Sequence, residues 1–141
     1  MMMMPDVNVL VAAFRTDHVH HGSCKPWLDG LTNSGESFGL SALVLSAVIR
    51  IASNARAFVN PSTVPEAFDF CNFLLTQPGA HSLAPGNSHW TIFERLCVAA
   101  NIKGAATTDA WFAALAIEQD CEWVTLDRDF GRFPGLRWRR P

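Results

Sequence analysis

Short β-like runs alternate with longer amphipathic segments along this chain, and that alternation constrains the fold more than any other feature. The runs fall at residues 37–40, 81–83, 122–126 and 136–138. Between them, apolar residues recur at helical spacing over 21–32 around Trp27, Leu28 and Leu31, over 43–55, over 64–76 with Phe68, Cys71, Leu74 and Leu75 on one face, and over 89–100. A further helix is expected from about Asp109 to Gln119, where Ala113-Ala114-Leu115-Ala116 allows close approach to a sheet. Strands that alternate with helices imply a mostly parallel sheet covered on both faces, an α/β fold with three α/β/α layers. Ser62 or Thr63 followed by Glu66 has the form of a capping box. Residues 7–14 are ambiguous, because Val7, Val9 and Val11 favour a strand by propensity.

At 141 residues and 49% hydrophobic, the chain can bury a full core without covalent staples. Asn60-Pro61-Ser62, Gln77-Pro78-Gly79 and Pro85-Gly86-Asn87 mark loops, and with no internal repeat the expectation is a single domain over residues 1–141. Cys24, Cys71, Cys97 and Cys121 are widely separated and form no C-x-x-C pair, which argues for buried thiols in a reducing cytoplasm rather than a disulfide framework or zinc site. Met1 to Met4 stop at Pro5 without a basic flank, so they read as neither a signal peptide nor a membrane span. The net charge of −2 argues against holding nucleic acid by overall attraction, but Arg128, Arg132, Arg137, Arg139 and Arg140 crowd into the last fourteen positions. That cluster suits either a solvated tail or a phosphate-binding edge.

In an open parallel sheet, ligands bind beyond the carboxyl ends of the strands, so acids that follow strands are the candidates for chemistry. Asp6 follows the Met-rich start, Asp109 opens a helix after Thr107-Thr108, and Asp127 follows Trp123-Val124-Thr125-Leu126. Each also has a structural explanation: Asp109 as a helix N-terminal charge, and Asp127-Arg128-Asp129 as a polar turn.

Asp6-Val7-Asn8-Val9-Leu10-Val11, Thr108-Asp109-Ala110-Trp111-Phe112 and Val124-Thr125-Leu126-Asp127-Arg128-Asp129-Phe130, taken in order, resemble the PIN domains, and among them the VapC toxins of toxin–antitoxin pairs. Arg50-Ile51-Ala52-Ser53-Asn54, Pro85-Gly86-Asn87-Ser88-His89-Trp90 and the closing Arg132-Phe133-Pro134-Gly135-Leu136-Arg137-Trp138 extend the resemblance over nearly the whole chain. It implies a PIN-like (Rossmann-like) fold of about five strands, with a short strand at 1–5 and a helical turn after Asp6. The implied activity is metal-dependent endoribonuclease cleavage that leaves 5′-phosphate and 3′-hydroxyl ends. It places Asp6, Asp109 and Asp127 at a Mg2+ site, with Mn2+ as an alternative ion; Asp6 and Asp127 are direct ligands, and Asp109 is a ligand or a water-mediated contact. Asn8 and Thr125 would support the carboxylates, Asp129 would either join the site or cap the following turn, and Arg128 and Arg132 would meet RNA phosphate. The implied partners are a VapB-like antitoxin, an RNA substrate and a second copy in a homodimer, with DNA reached only through the antitoxin and no membrane.

Carboxylates suit that chemistry because hard oxygen donors favour magnesium or manganese. Three of them about 5 Å apart repel by roughly 3 kcal/mol per pair at an effective dielectric near 20, so they remain ionised together only around a shared cation. The chain departs from the family pattern at Ala47, where many PIN domains carry a Glu. That loss predicts a weak or single-ion site, and it leaves open a second reading: a catalytically weak module that mainly binds antitoxin and co-represses its operon. His18, His20 and His21 after Asp17 offer a ligand pair at most, which is better explained by a polar helix start. Glu118, nine residues after Asp109, falls on another helix face and is expected to pair with a base. The many Phe and Trp side chains should mostly be core, with a portion exposed to a partner.

Overall fold

The computed structural model describes residues 1–141. Its strands are β1 (Met2–Pro5), β2 (Phe38–Leu40), β3 (Ala80–Ser82), β4 (Cys121–Val124) and β5 (Trp138–Arg139). They form one sheet in the order β3-β2-β1-β4-β5, and every pairing is parallel. The expected mostly parallel sheet of about five strands is therefore five strands and wholly parallel. Six helices connect them: α1 (Val7–Phe14), α2 (His21–Asn33), α3 (Ala42–Ala52), α4 (Val64–Leu75), α5 (His89–Ala99) and α6 (Thr107–Glu118).

The ambiguous stretch at 7–14 is α1. Asp6 accepts from the Val7 N–H at 2.6 Å, and the Asp6 carbonyl accepts from Val9 and Leu10, so the acid starts the helix directly after β1. β-branched propensity loses here because Val9, Leu10, Val11, Ala12 and Ala13 are all buried, and burial of a helix packed against α2 and α3 outweighs a preference worth tenths of a kcal/mol per residue. The capping box is confirmed at Thr63 with Glu66. Ser62 instead accepts from Arg15 at 2.9 Å, which ties the end of α1 to the segment before α4. Helix α6 begins two residues ahead of the expected Asp109, because a 3₁₀ turn at Gly104–Ala106 runs directly into it.

The chain leaves β1 toward β2 and β3 and then returns past β1 to β4. With right-handed crossovers, that reversal puts α5 and α6 on the opposite face from α1 to α4 and gives the three layers. Helix α1 packs on α2 and α3, α3 on α4, and α5 on α6, in agreement with that division. Gly79, just before β3, is required by close approach: a Cβ there would meet the Glu36 carbonyl oxygen at 2.1 Å.

Two packing devices set the region that will carry the site. Ala110, Ala113, Ala114 and Ala116 of α6 are fully buried, so the helix backbone lies close to the sheet. Trp123 on β4 is also fully buried; it stacks on Phe112 at 5.4 Å and meets Phe130 at 5.5 Å. Together they hold the start of α6 and the segment after β4 in a constant relation. Of the expected aromatic surface, Phe68, Phe73 and Trp90 are exposed, whereas Phe38 and Phe112 are core. Cys24, Cys71 and Cys121 are buried thiols, and all four cysteines are free. No helix is long and apolar enough to cross a membrane. Ala114→Leu should overfill the α6–sheet contact and lower unfolding free energy by about 1–3 kcal/mol in urea denaturation; an unchanged midpoint would show that α6 is free to lift from the sheet.

Candidate metal centre

The reversal of strand order places the carboxyl ends of β1 and β4 side by side, where a parallel sheet opens a crevice. Asp6 follows β1 and Asp127 follows β4 by three residues, while Asp109 lies in the first turn of α6. All three line one open cavity of about 560 Å³, together with Asn8, Thr108 and residues of α3.

Thr125 knits the crevice together. Its buried hydroxyl donates to Asp6 Oδ2 at 2.6 Å, and accepts from the Asp127 N–H at 3.0 Å and from Asn8 Nδ2 at 3.3 Å. The Asn8 side-chain oxygen in turn accepts from the Leu126 N–H at 3.1 Å. One hydroxyl with one donor and two acceptor positions is thereby fully used, and it joins residues 119 positions apart. Thr125 therefore touches Asp6 and the Asp127 backbone directly, and Asn8 lies outside it, bonded to Thr125 and to Leu126.

Asp6 is only 6% exposed, and burial raises its pKa to about 6 against the hydrogen bonds from Thr125 and Val7, with Asp109 and Asp127 adding repulsion. Asp109 is raised as well, first by burial and then by the charges of Asp127 and Asp129, with Arg132 opposing. Like charges thus crowd one another across the cavity, and every donor they offer is a hard oxygen. That donor set fits a divalent cation such as magnesium or manganese. The carboxylates share the cavity wall without closing into a three-ligand cage. Part of the reason is that Asp109 leans toward Arg132, 3.4 Å away.

The remaining candidates separate. Asp129 is exposed and lies outside the cavity lining; its N–H donates to Asp127 Oδ1 at 2.9 Å, so Asp127, not Asp129, caps the 3₁₀ turn Arg128–Arg132. Arg132 is held by Asp109, and Arg128 is exposed. Glu118 does not pair with a base; it accepts from the Gly86 and Ser88 N–H groups at 2.7 and 2.9 Å, which anchors the loop that enters α5. His21 meets the Ala12 carbonyl at 2.9 Å, and the His18 ring accepts from the His20 N–H at 3.0 Å, so the histidines serve the entry to α2.

The α3 wall is where sequence reasoning was least complete. Ala47 does face the cavity, as its distance from Arg50 suggested, and it leaves no fourth carboxylate there. Arg50, noted only as part of a motif, also lines the cavity, and so does His18. The available signal was spacing: Leu43, Ala47, Arg50 and Ile51 fall on one helical face, and a residue three after a site position shares it.

A model of the PIN domain family matches residues 3–136. Ribonuclease VapC43 of Mycobacterium tuberculosis is 39% identical over 140 residues, which cover 99% of this chain and 95% of that protein. Ribonuclease VapC25 of the same organism is 39% identical over 140 residues, 99% of each chain. Among solved structures, VapBC2 from Rickettsia felis bound to a DNA fragment from its promoter superposes with a TM-score of 0.73 at 18% identity, covering 99% of this chain and 98% of that one. The sarcin-ricin loop cleaving toxin VapC20 of M. tuberculosis gives a TM-score of 0.65 at 14% identity over 96% and 98% of the two chains.

Two outcomes follow from the buried cluster. Thr125→Val should strand Asp6, Asn8 and the Asp127 N–H together and cost about 1–3 kcal/mol in denaturant unfolding, and a neutral result would remove Thr125 from its central place. Because the folded Asp6 pKa near 6 exceeds the ordinary 3.8, the folded state binds its proton more tightly than the unfolded one. The contribution from Asp6 is therefore full below about pH 4 and lost as pH rises through about 6, roughly 3 kcal/mol in all. Denaturation in EDTA from pH 4 to 7.5 should show this fall in the wild type and a flatter profile in Asp6→Asn; parallel profiles would mean that Asp6 is not buried as a carboxylate.

Proposed function

Because the chain belongs to the PIN-domain family, we propose that it is the endoribonuclease toxin of a VapBC toxin–antitoxin pair, a single catalytic domain that hydrolyses RNA phosphodiester bonds with Mg2+ or Mn2+. The observation that carries this reading is the meeting of Asp6, Asp109 and Asp127 on one cavity at the carboxyl ends of β1 and β4. The relatives at 39% identity are named ribonucleases, and they align with this chain over 95% and 99% of their length.

Asp6 and Asp127 are the direct ligands in this proposal, and Asp109 is a ligand or a water-mediated contact. When bound, the metal supplies an acidified water for attack at phosphorus and neutralises charge on the phosphate oxygens. The chain's own residues do the positioning. Thr125 holds Asp6 and the Asp127 backbone in one register. Asn8 locks the segment after β4 against α1. The buried Asp6 must lose its proton to act as a ligand, so low pH opposes metal loading. Asp129 acts through the turn that carries Asp127, and the exposed Arg128, together with Arg132 after its release from Asp109, would meet RNA phosphate from outside the cavity lining.

The partner is a VapB-like antitoxin whose basic side chain enters the acidic cavity; the solved VapBC assemblies of the same fold support this pairing. A homodimer, a cytoplasmic setting, and contact with DNA only through the antitoxin complete the proposal. A second reading is favoured by Ala47: with no carboxylate on the α3 wall, the protein would bind antitoxin and co-repress its operon with little turnover.

Purified, antitoxin-free protein incubated with total RNA should cleave it only with Mg2+ or Mn2+ present. Asp6→Ala and Asp109→Ala should each lose more than the roughly 10–100-fold that removal of a group supporting a metal ligand costs. Cleavage that survives both substitutions would overturn the site, and RNA binding without cleavage under either metal would favour the binding module.

A further inference from the structure

We propose that Arg50 seats an RNA backbone phosphate on the α3 wall of the cavity, and that Ala47 leaves it free to do so. The inference rests on the ribonuclease reading above. Arg50 is the only Arg or Lys lining the cavity that holds Asp6, Asp109 and Asp127. Of the other arginines, Arg15 binds Asp17, Ser62 and the Asn60 carbonyl, Arg132 binds Asp109 and Arg137 binds Asp120; Arg56, Arg95, Arg128, Arg139 and Arg140 make no ion pair, but none of them lines the cavity. Arg50 makes no ion pair with any acid, although three carboxylates line the same cavity.

Residue 47 explains why it stays free. A Glu there would stand three residues before Arg50 on the same helical face, within reach of an i,i+3 ion pair. Alanine withdraws that partner, so the α3 wall changes from a neutral pair to a net positive edge facing the acids. A bare RNA strand is repelled by the carboxylate side of the cavity, and a guanidinium across from it offers forked donors matched to phosphate. Arg50 also lies in the last turn of α3, where a cation complements the helix dipole. That role is satisfied anywhere around the helix, and it gives no reason for the side chain to line the cavity.

The test is binding of a fluorescent single-stranded RNA by the full chain in EDTA, where cleavage is arrested, over a series of salt concentrations. Arg50→Ala should weaken binding about tenfold and reduce the slope of log K against log salt by about 0.7. Arg50→Lys should restore the slope, and Ala47→Glu should reduce it as Arg50→Ala does. In cleavage assays with metal, Arg50→Ala should raise KM more than it lowers kcat, with a fall in thermal midpoint no larger than loss of the helix-dipole interaction produces, and that fall should be absent in Arg50→Lys. An unchanged slope in Arg50→Ala, or a slope not restored by Arg50→Lys, overturns the assignment while metal-dependent cleavage by the wild type leaves the nuclease reading intact. An Arg50-dependent slope in a protein that cleaves nothing sinks the nuclease reading and keeps the phosphate seat.

Discussion

The hydroxyl of Thr125 is the contact on which the cavity depends. It lies where β4 has just ended, donates to the carboxylate that follows β1, and receives both the Asn8 amide and the Asp127 N–H. Every lone pair and proton of that oxygen is assigned, and its surroundings exclude water, so each bond is stronger than its solvent-exposed counterpart and harder to replace. The parallel pairing of β1 with β4, running from Met2 opposite Cys121 to Pro5 opposite Val124, is what delivers the two strand ends to one level. The Asp6 N–H continues that ladder to the Val124 carbonyl at 2.8 Å, so the first acid is fixed by its backbone as well as its side chain.

Energetically, the cavity runs against stability. A carboxyl that is nearly buried, and repelled by two others, is held with its proton affinity raised, and the fold around it compensates through apolar packing. The aromatic run of Phe112, Trp123, Phe130 and Phe133, of which Phe112 and Phe130 line the cavity with the acids, ties α6, β4 and the following 3₁₀ turn into one unit. The alanine face of α6 keeps Asp109 near the sheet. Strain concentrated in charge, and support concentrated in packing, is the arrangement expected where a site is prepared for a cation.

Much of this was legible beforehand. The box at Thr63 and Glu66 is a local signal and α4 formed behind it, but of the expected face Phe68, Cys71, Leu74 and Leu75 only Cys71 and Leu74 are buried, joined by Ala67, whereas Phe68 and Leu75 are exposed, because the tilt of the helix on its neighbours selects the face. Strand boundaries moved by one or two residues, as at β5, because strand ends depend on a neighbour's register rather than on their own side chains. Residues 7–14 could not be settled by propensity, since burial against α2 and α3 decided them. Asp129 could be placed beside Asp127 by sequence, but the assignment of which one caps the turn required the backbone path.

Sequence by itself determined the alternation of strands and helices, the presence of three acids at strand or helix junctions, and the lack of a fourth at Ala47, because these are properties of residue type and spacing. Only the tertiary structure decided that Thr125 joins two of those acids, that Asp109 turns to Arg132, that Glu118 binds a loop backbone, and that Arg50 lines the cavity unpaired. Each of those outcomes depends on side-chain direction and on contacts between segments far apart in the chain. The three junction acids are in the sequence; their shared electrostatics exists only once the sheet brings the ends of β1 and β4 together.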